Sequence, residues 1–312
     1  VKIIKRTVAI TEGGMRLDRW LQYHFPWLSF VHVQKLIRTG QVRVNSKRVP
    51  PSTRLTAGVE IRLPLFEEPK ATPPFSKPIP KVHTRDLHQF QKAIIFEDEH
   101  YIAINKPQGI AVQGGTGTVH HLALILKALW PDPATCPKIV HRLDRDTSGV
   151  LVFAKNLAAA RWLAQAFRQH KVNKYYRAII VGTLPATEGL IDAPIAKRRG
   201  VQKEKMSVSP GGDTAQTSYH LLKKAAHDPL SYIAFQPLTG RTHQIRVHTA
   251  SMGCPILGDG KYGGKKAHPL PKRTPLCLHA AELSFKGETG NLYRFTAPLP
   301  EHFQDILETY FV

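Results

Sequence analysis

The stretch IVHRLDRDTSGVLVFAK, residues 139–155, sets one carboxylate, Asp144, between Arg142 and Arg145. It then passes through a Ser-Gly turn into a run of apolar residues. An acid this close to guanidinium groups is most often a surface ion pair that contributes little to stability. Here it lies where a turn feeds a buried strand over 149–154, a place where an unneeded charge is costly. The stretch therefore raises two questions: what sheet the strand belongs to, and what the carboxylate is for.

Working outward from this strand, residues 93–96 with 101–104, 176–181, 217–222, 231–236 and 243–248 also read as strands. Residues 119–130 and 157–169 read as helices. Strands outnumber helices and do not alternate with them, so a doubly wound sheet is excluded. The expected fold class is α+β, built on a mixed, mainly antiparallel sheet.

A second unit precedes this one. Residues 64–80, PLFEEPKATPPFSKPIP, hold six prolines, each fixing φ and removing a backbone donor. They divide the chain into a small domain over 1–66, a linker over 67–90 and a large domain over 91–312. In the small domain Leu17, Trp20, Leu21 and Phe25 recur at helical spacing. A second helix starts after Ser29, a good N-cap, buries Phe30, Val33, Leu36 and Ile37, and stops at Gly40. QVRVNSKRV (41–49) alternates like a strand turning at Asn45-Ser46, and another strand follows over 59–63. Two helices and a basic hairpin gather Lys35, Arg38, Arg43, Lys47 and Arg48 on one surface.

Charge points to the partner. The 312 residues carry 44 Lys and Arg against 23 Asp and Glu, a net +21. Residues 1–66 alone hold 12 Lys and Arg against 3 Asp and Glu, or +9, so the density is greatest in the small domain. Such an excess opposes folding and suits a polyanion, whose phosphates release counterions on contact. No apolar run reaches the ~20 residues of a membrane span, so nucleic acid is the better reading than a membrane. Cys136, Cys254 and Cys277 form no CxxC pair, and no signal peptide is recognisable. A reducing compartment is expected: the cytoplasm or, in a eukaryote, the mitochondrial matrix.

Several chemistries can be set aside. GGTGT (114–118) lacks the Lys of a phosphate loop, and no Gly-x-Ser-x-Gly elbow occurs. His120-His121 and His243 with His248 do not follow metal-ligand spacing. His141 reads as a hydrogen-bonding structural residue. Asp146 could be the second carboxylate of a glycosidase, but it opens DTSG, where an Asp most often caps a turn. Asp144 then acts alone, and a lone buried carboxylate needs a cation to stay ionised. Arg241 and Arg246 are the candidates; Arg246 lies on the alternating segment 243–248 and could point inward. By spacing alone, a structural ion pair and a catalytic one remain equally open.

The motifs carry a resemblance. NKPQGI (105–110), HRLDRDTSG (141–149), KYYRAIIVG (174–182), GRTHQIRVHTASMGCPILGDGKYG (240–263) and LCLHA (276–280) resemble, in order and spacing, the RluA-type pseudouridine synthases over residues 91–305. MRLDRWL, LIRTGQVRVNSKRV and LTAGVEIRL resemble the αL-type RNA-binding domain, departing at Ser29-Phe30 and Asn45-Ser46. The pairing of the two is similar to the RluC and RluD branch, whose members modify large-subunit (23S) ribosomal RNA in bacteria. The resemblance implies an isomerase that detaches uracil from C1′, rotates it and rejoins it through C5, with no cofactor and no metal. It implies Asp144 as the catalytic aspartate, acting as nucleophile or assisting elimination to a glycal, with Arg246 holding it ionised. Tyr176 would stack on the uracil and take a proton from C2′ or C5, while Tyr175 faces away. Arg142 would fill the gap left by the flipped nucleotide. Arg16, Arg19, Lys35, Arg38, Arg43, Lys47 and Arg48 would contact RNA, and the chain is expected to act as a monomer. The alternatives are the same chemistry on transfer RNA, or a non-catalytic RNA-binding protein of ribosome assembly.

Overall fold

A computed structural model of the chain describes residues 3–25, 27–66, 82–115, 120–198 and 205–311. The chain divides into two units, Val1–Ile79 and Pro80–Val312. Residues 67–81, most of the proline-rich linker, lie outside the described residues, as do Thr116–Thr118 of the Gly-rich loop.

In the small unit β1 (Ile3–Thr7), α1 (Leu17–His24), α2 (Phe30–Arg38), β2 (Arg43–Val44) and β3 (Glu60–Pro64) follow in order. The sheet is antiparallel, ordered β1-β3-β2. Leu17, Trp20 and Leu21 of α1 pack with Val33, Leu36 and Ile37 of α2 and with Ile61 and Leu63, all buried. Ser29 caps α2 by accepting a hydrogen bond from the His32 N–H at 3.2 Å. Phe30 is 56% exposed rather than buried. Helical side chains lean toward the N-terminus, so in the first turn Phe30 projects past the end of the apolar stripe. The hairpin turns at Asn45 and Ser46, both at positive φ (44° and 65°), as the tightest hairpin turns require. Its first strand is shorter than the alternation suggests: β2 has two residues, and a Val44–Lys47 bridge closes the turn.

The large unit begins with α3 (Thr84–Lys92), so residues 84–90, assigned to the linker by their sequence, form a helix. Phe90 on this helix is buried against Ile102, Ile104 and Phe153. Then come β4 (Ile94–Glu97), β5 (Tyr101–Lys106), α4 (Leu122–Leu129), β6 (Lys138–Ile139), β7 (Ser148–Ala154), α5 (Leu157–Arg168) and β8 (Asn173–Val181). They are followed by β9 (Glu188–Asp192), β10 (Ile195–Lys197), β11 (Met206–Val208), β12 (Gln216–Lys224) and β13 (Leu230–Pro237). The chain ends with α6 (Gln244–Ser251), β14 (Leu278–Lys286), β15 (Leu292–Thr296) and α7 (Glu301–Tyr310). The main sheet runs β4-β5-β7-β14-β8-β13-β12-β9, with β15 on β14 and β6 on β7. Every pairing in it is antiparallel except β7 with β14, so the expected α+β class with a mixed, mainly antiparallel sheet holds.

One expected strand is a helix. Residues 243–248 alternate polar and apolar, yet α6 begins at Gln244. All six residues 244–249 are buried, so no exposed face writes a helical period into the sequence. Burial of the polar ones is matched by bonds. Gln244 Nε2 donates to the Gln216 carbonyl and to Thr217 Oγ1, both at 2.9 Å, and the two ring nitrogens of His248 lie 2.9 Å from Thr217 Oγ1 and 3.0 Å from the Ala193 carbonyl.

The Ser-Gly turn has a steric cause. β7 starts parallel to β14, with Ser148 opposite His279 and Gly149 opposite Ala280. Gly149 has φ 111°, and a Cβ there would strike the Ala280 backbone. Only glycine permits this approach, and it delivers the preceding loop, with Asp144, to the edge of β14.

Candidate active site

Asp144 lies on the loop before β7, Tyr176 on β8, and β14 runs between those two strands. A cleft of about 300 Å³ opens over this junction and is lined by Arg142, Asp144, Lys174, Tyr176, His243, Arg246 and Glu282. Leu278 and Ala280 of β14 line it, as do Glu282 and Leu283 beyond a register shift against β8. Lys174 and Tyr176 share the cleft face of β8, whereas Tyr175 is not among the lining residues. The three residues expected to do chemistry therefore meet in one cavity.

Their pairing differs from the expected one. Arg246, 7% exposed, spends its fork on a residue that sequence reasoning left without a role. Its Nε and Nη2 donate to the two carboxylate oxygens of Asp259, both at 2.8 Å. Its remaining Nη1 faces Asp144 Oδ2 at 3.7 Å. Burial works against the charged guanidinium, but Asp259, with Asp144 behind it, holds its pKa above the ordinary value. Asp259 also accepts the backbone N–H groups of Lys261 and Tyr262, at 3.2 Å each. Arg246 is thus a charge fixed by Asp259 and presented to Asp144. Arg241, the other candidate, instead donates to the Thr214 carbonyl and lies 3.8 Å from Asp213.

A second group on Asp144 was also missed. His243 Nε2 lies 3.6 Å from the same oxygen, Oδ2. The sequence offers His243 only as a candidate metal ligand, because no local signal marks a histidine that folding brings to a carboxylate 99 positions earlier in the chain. Asp259 was equally illegible, since GDGKYG reads as a turn.

Tyr176 is partly buried, and desolvation first, then the Asp144 charge, raise its pKa. It stays a phenol at neutral pH, able to donate or relay a proton but not to hold a negative charge. The loop carrying Asp144 is fastened from beneath by Lys106, which is fully buried. Its Nζ donates to the carbonyls of Pro107, Ile110 and Arg145 at 2.8, 3.0 and 3.0 Å. Burial pushes this ammonium down to about 7, with Asp146 and Asp144 opposing.

The neighbours of Asp144 take separate roles. Arg145 pairs with Asp146 at 3.0 Å on the surface, so the Asp146 carboxylate serves an ion pair rather than a turn cap. Arg142 is exposed at the cleft. His141 is structural, as expected: its Nε2 accepts from the Val152 N–H at 2.9 Å and its ring stacks on Phe167. Burial, helped by Lys174, depresses its pKa to about 3.

In the small unit Arg19, Lys35, Arg38, Lys47 and Arg48 are exposed. Lys35, Arg38 and Arg48 line one shallow groove with Gln34 and Pro50. Gly40, at φ 74°, leaves room for Arg48 to cross it, since a Cβ would strike that guanidinium. Two of the expected RNA contacts are engaged internally. Arg16 grips Asp18 at 3.1 and 2.6 Å, and Arg43 donates to the Gly40 carbonyl at 3.2 Å.

Comparison with known proteins agrees with this geometry. The RNA pseudouridylate synthase family matches residues 100–251, and the S4 domain matches residues 15–61. Ribosomal large subunit pseudouridine synthase C of Vibrio cholerae is 36% identical, over 95% of this chain and 93% of that protein. The protein of the same name from Escherichia coli is 35% identical, over 97% and 96%. Among solved structures, human RNA pseudouridylate synthase domain containing 4 superposes with a TM-score of 0.57 at 28% identity. That match covers 72% of this chain and 95% of the other. Human RNA pseudouridylate synthase domain containing 1 gives 0.56 at 27% identity, covering 67% and 83%.

Proposed function

The chain belongs to the RNA pseudouridylate synthase family and is an RNA pseudouridine synthase, and from that premise we propose that it isomerises uridines in large-subunit ribosomal RNA. The substrate reading is supported by relatives of that name matching nearly the full chain, and by a small unit that matches the S4 domain. The observation that carries the chemistry is the Asp144 carboxylate, 20% exposed, in a cleft where Arg246 Nη1 and His243 Nε2 face one of its oxygens at 3.7 and 3.6 Å.

In this reading Asp144 acts at C1′ of a flipped-out uridine, either bonding to it or assisting elimination, while uracil leaves through N1. Uracil turns on the Tyr176 ring and C5 bonds to C1′ as any Asp144–C1′ bond breaks; C5 then loses its proton by way of Tyr176 and N1 gains one, so an isomer forms without a co-reactant. Arg246 keeps a positive charge beside the carboxylate throughout. The exposed Arg142 enters the duplex gap, and the exposed cations of the small unit, Arg19, Lys35, Arg38, Lys47 and Arg48, hold phosphates. Residues 1–66 then serve as an RNA-binding domain tethered to the catalytic domain, and the protein works as a monomer in the cytoplasm. Its three cysteines are free thiols, in keeping with a reducing compartment.

Pseudouridine mapping of total RNA from a strain lacking this protein tests the proposal. Specific large-subunit positions should revert to uridine, and return with the wild-type chain but not with Asp144→Asn. Loss confined to transfer RNA would replace the ribosomal substrate, and an unchanged map would leave a binding protein only.

A further inference from the structure

His243 adopts φ 57° and ψ 24°, the left-handed region that side-chain-bearing residues rarely occupy. Such strain persists where surrounding contacts over-determine it, and those contacts run in one direction here. The Met206 N–H donates to Tyr262 Oη at 3.3 Å, leaving the phenolic hydrogen free to point elsewhere. Tyr262 Oη lies 2.6 Å from His243 Nδ1. Burial lowers the imidazole pKa and raises that of the phenol, so neither is charged at neutral pH. Tyr262 therefore donates to Nδ1, and the imidazole hydrogen must sit on Nε2, the nitrogen that faces Asp144 Oδ2 at 3.6 Å.

We propose that His243, fixed in one tautomer by Tyr262, is a positioning residue that turns the Asp144 carboxylate toward the reacting carbon. The proposal rests on the functional reading above. His243, the N-cap of α6, and Arg246, in the first turn of the same helix, approach the same oxygen, Oδ2, so Oδ1 is left to meet C1′. The 3.6 Å separation lets the carboxylate move; catalytic hydrogen bonds commonly tighten only once substrate is bound. His243 transfers no proton in this role: it donates a hydrogen bond and keeps its hydrogen. The guanidinium of Arg246 lies over the Tyr262 ring, 5.2 Å from its centroid, so one phenol supports both donors.

The test uses the full chain acting on ribosomal RNA. His243→Gly keeps a backbone suited to the left-handed region and removes the ring. The kcat should fall roughly ten- to hundredfold, the loss of a hydrogen bond to a charged group, with KM nearly unchanged. Added imidazole should restore part of the rate. Tyr262→Phe keeps the ring under Arg246 but frees the tautomer, and should lower kcat less, again at constant KM. Wild-type kcat in both variants overturns the proposal. So does a fall that imidazole leaves untouched and that tracks a lower Tm, which would make His243 structural. The wild-type chain in the same assay separates the readings: if it is inactive both fail, and if it is active beside a fully active His243→Gly, this inference alone fails.

Discussion

The two units each contain an aspartate–arginine fork on a buried aspartate, and the two forks differ in how far water reaches the arginine. In the small unit Arg16 grips Asp18 from two residues away, with 43% of the arginine side chain in water. In the large unit Arg246 grips Asp259 from 13 residues away, with both side chains 7% exposed or less. The half-exposed fork adds less, because water competes for the Arg16 guanidinium even though Asp18 is buried. The buried fork has no such competitor: each charge depends on the other, and removing one leaves the second stranded. The same chemical pair is a local clasp in one unit and, in the other, the anchor of a guanidinium that faces Asp144 in the cleft. Environment, not residue type, assigns the role.

The largest expected effect strikes the group that the buried fork serves. Asp144→Asn keeps the shape of the cleft and removes the carboxylate. Turnover should vanish in a single-turnover pseudouridine assay, while RNA affinity changes by less than about tenfold, ~1.4 kcal/mol. Substantial product from this variant would show that the charges of the cleft exist for stability alone.

Breaking the fork itself comes next. Arg246→Ala strands Asp259 and takes the guanidinium away from Asp144, so both stability and kcat should fall, stability by about 3–5 kcal/mol in denaturant unfolding. Arg16→Ala, the matching cut in the small unit, should cost clearly less, because Asp18 keeps the Arg19 N–H and Gln34 Nε2 as donors. Equal losses would erase the contrast between the forks.

Tyr176 sharpens the division of labour within the cleft. Tyr176→Phe retains the ring and loses the hydroxyl; Tyr176→Ala loses both. A phenol that relays a proton predicts a nearly inactive Phe variant. A fully active Phe variant with an inactive Ala variant would reduce Tyr176 to a stacking platform.

The small unit should matter for affinity rather than turnover. Deleting residues 1–66 should leave kcat at saturating RNA largely intact and weaken binding to a large folded ribosomal RNA, because a tethered second site raises effective concentration. The salt dependence should flatten by about 0.7–0.9 log units per log salt for each phosphate that the small unit neutralises. A salt series on both forms reads this; an unchanged slope would remove the small unit from the RNA interface.

The smallest effect concerns the Arg16–Asp18 fork and acid. The Arg16 hydrogen bond, partly offset by burial, holds the Asp18 carboxyl below its ordinary range. A carboxyl depressed in the folded state contributes stability that is present at neutral pH and lost as pH falls through that depressed pKa. Amide protection of Leu21 and Ile61 in the intact chain should therefore decline in acid, and Asp18→Asn should flatten the decline slightly. A decline as steep in the variant would assign the acid sensitivity to other groups.

Sequence by itself determined the fold class, most of the strands and the small unit with its capped second helix, and it singled out Asp144, Tyr176 and Arg246, which meet in one cleft. These are written in local signals: apolar runs, turn residues, an N-cap and spaced motifs, which depend on neighbours in the chain. Tertiary structure decided what those residues face. Helix α6 is buried all round, so its alternating pattern imitated a strand. Asp259 and His243 gained their roles only when α6 and the following turn met the Asp144 loop. The desolvation and pairing that fix a charge array are properties of distance through space, and no local pattern encodes them.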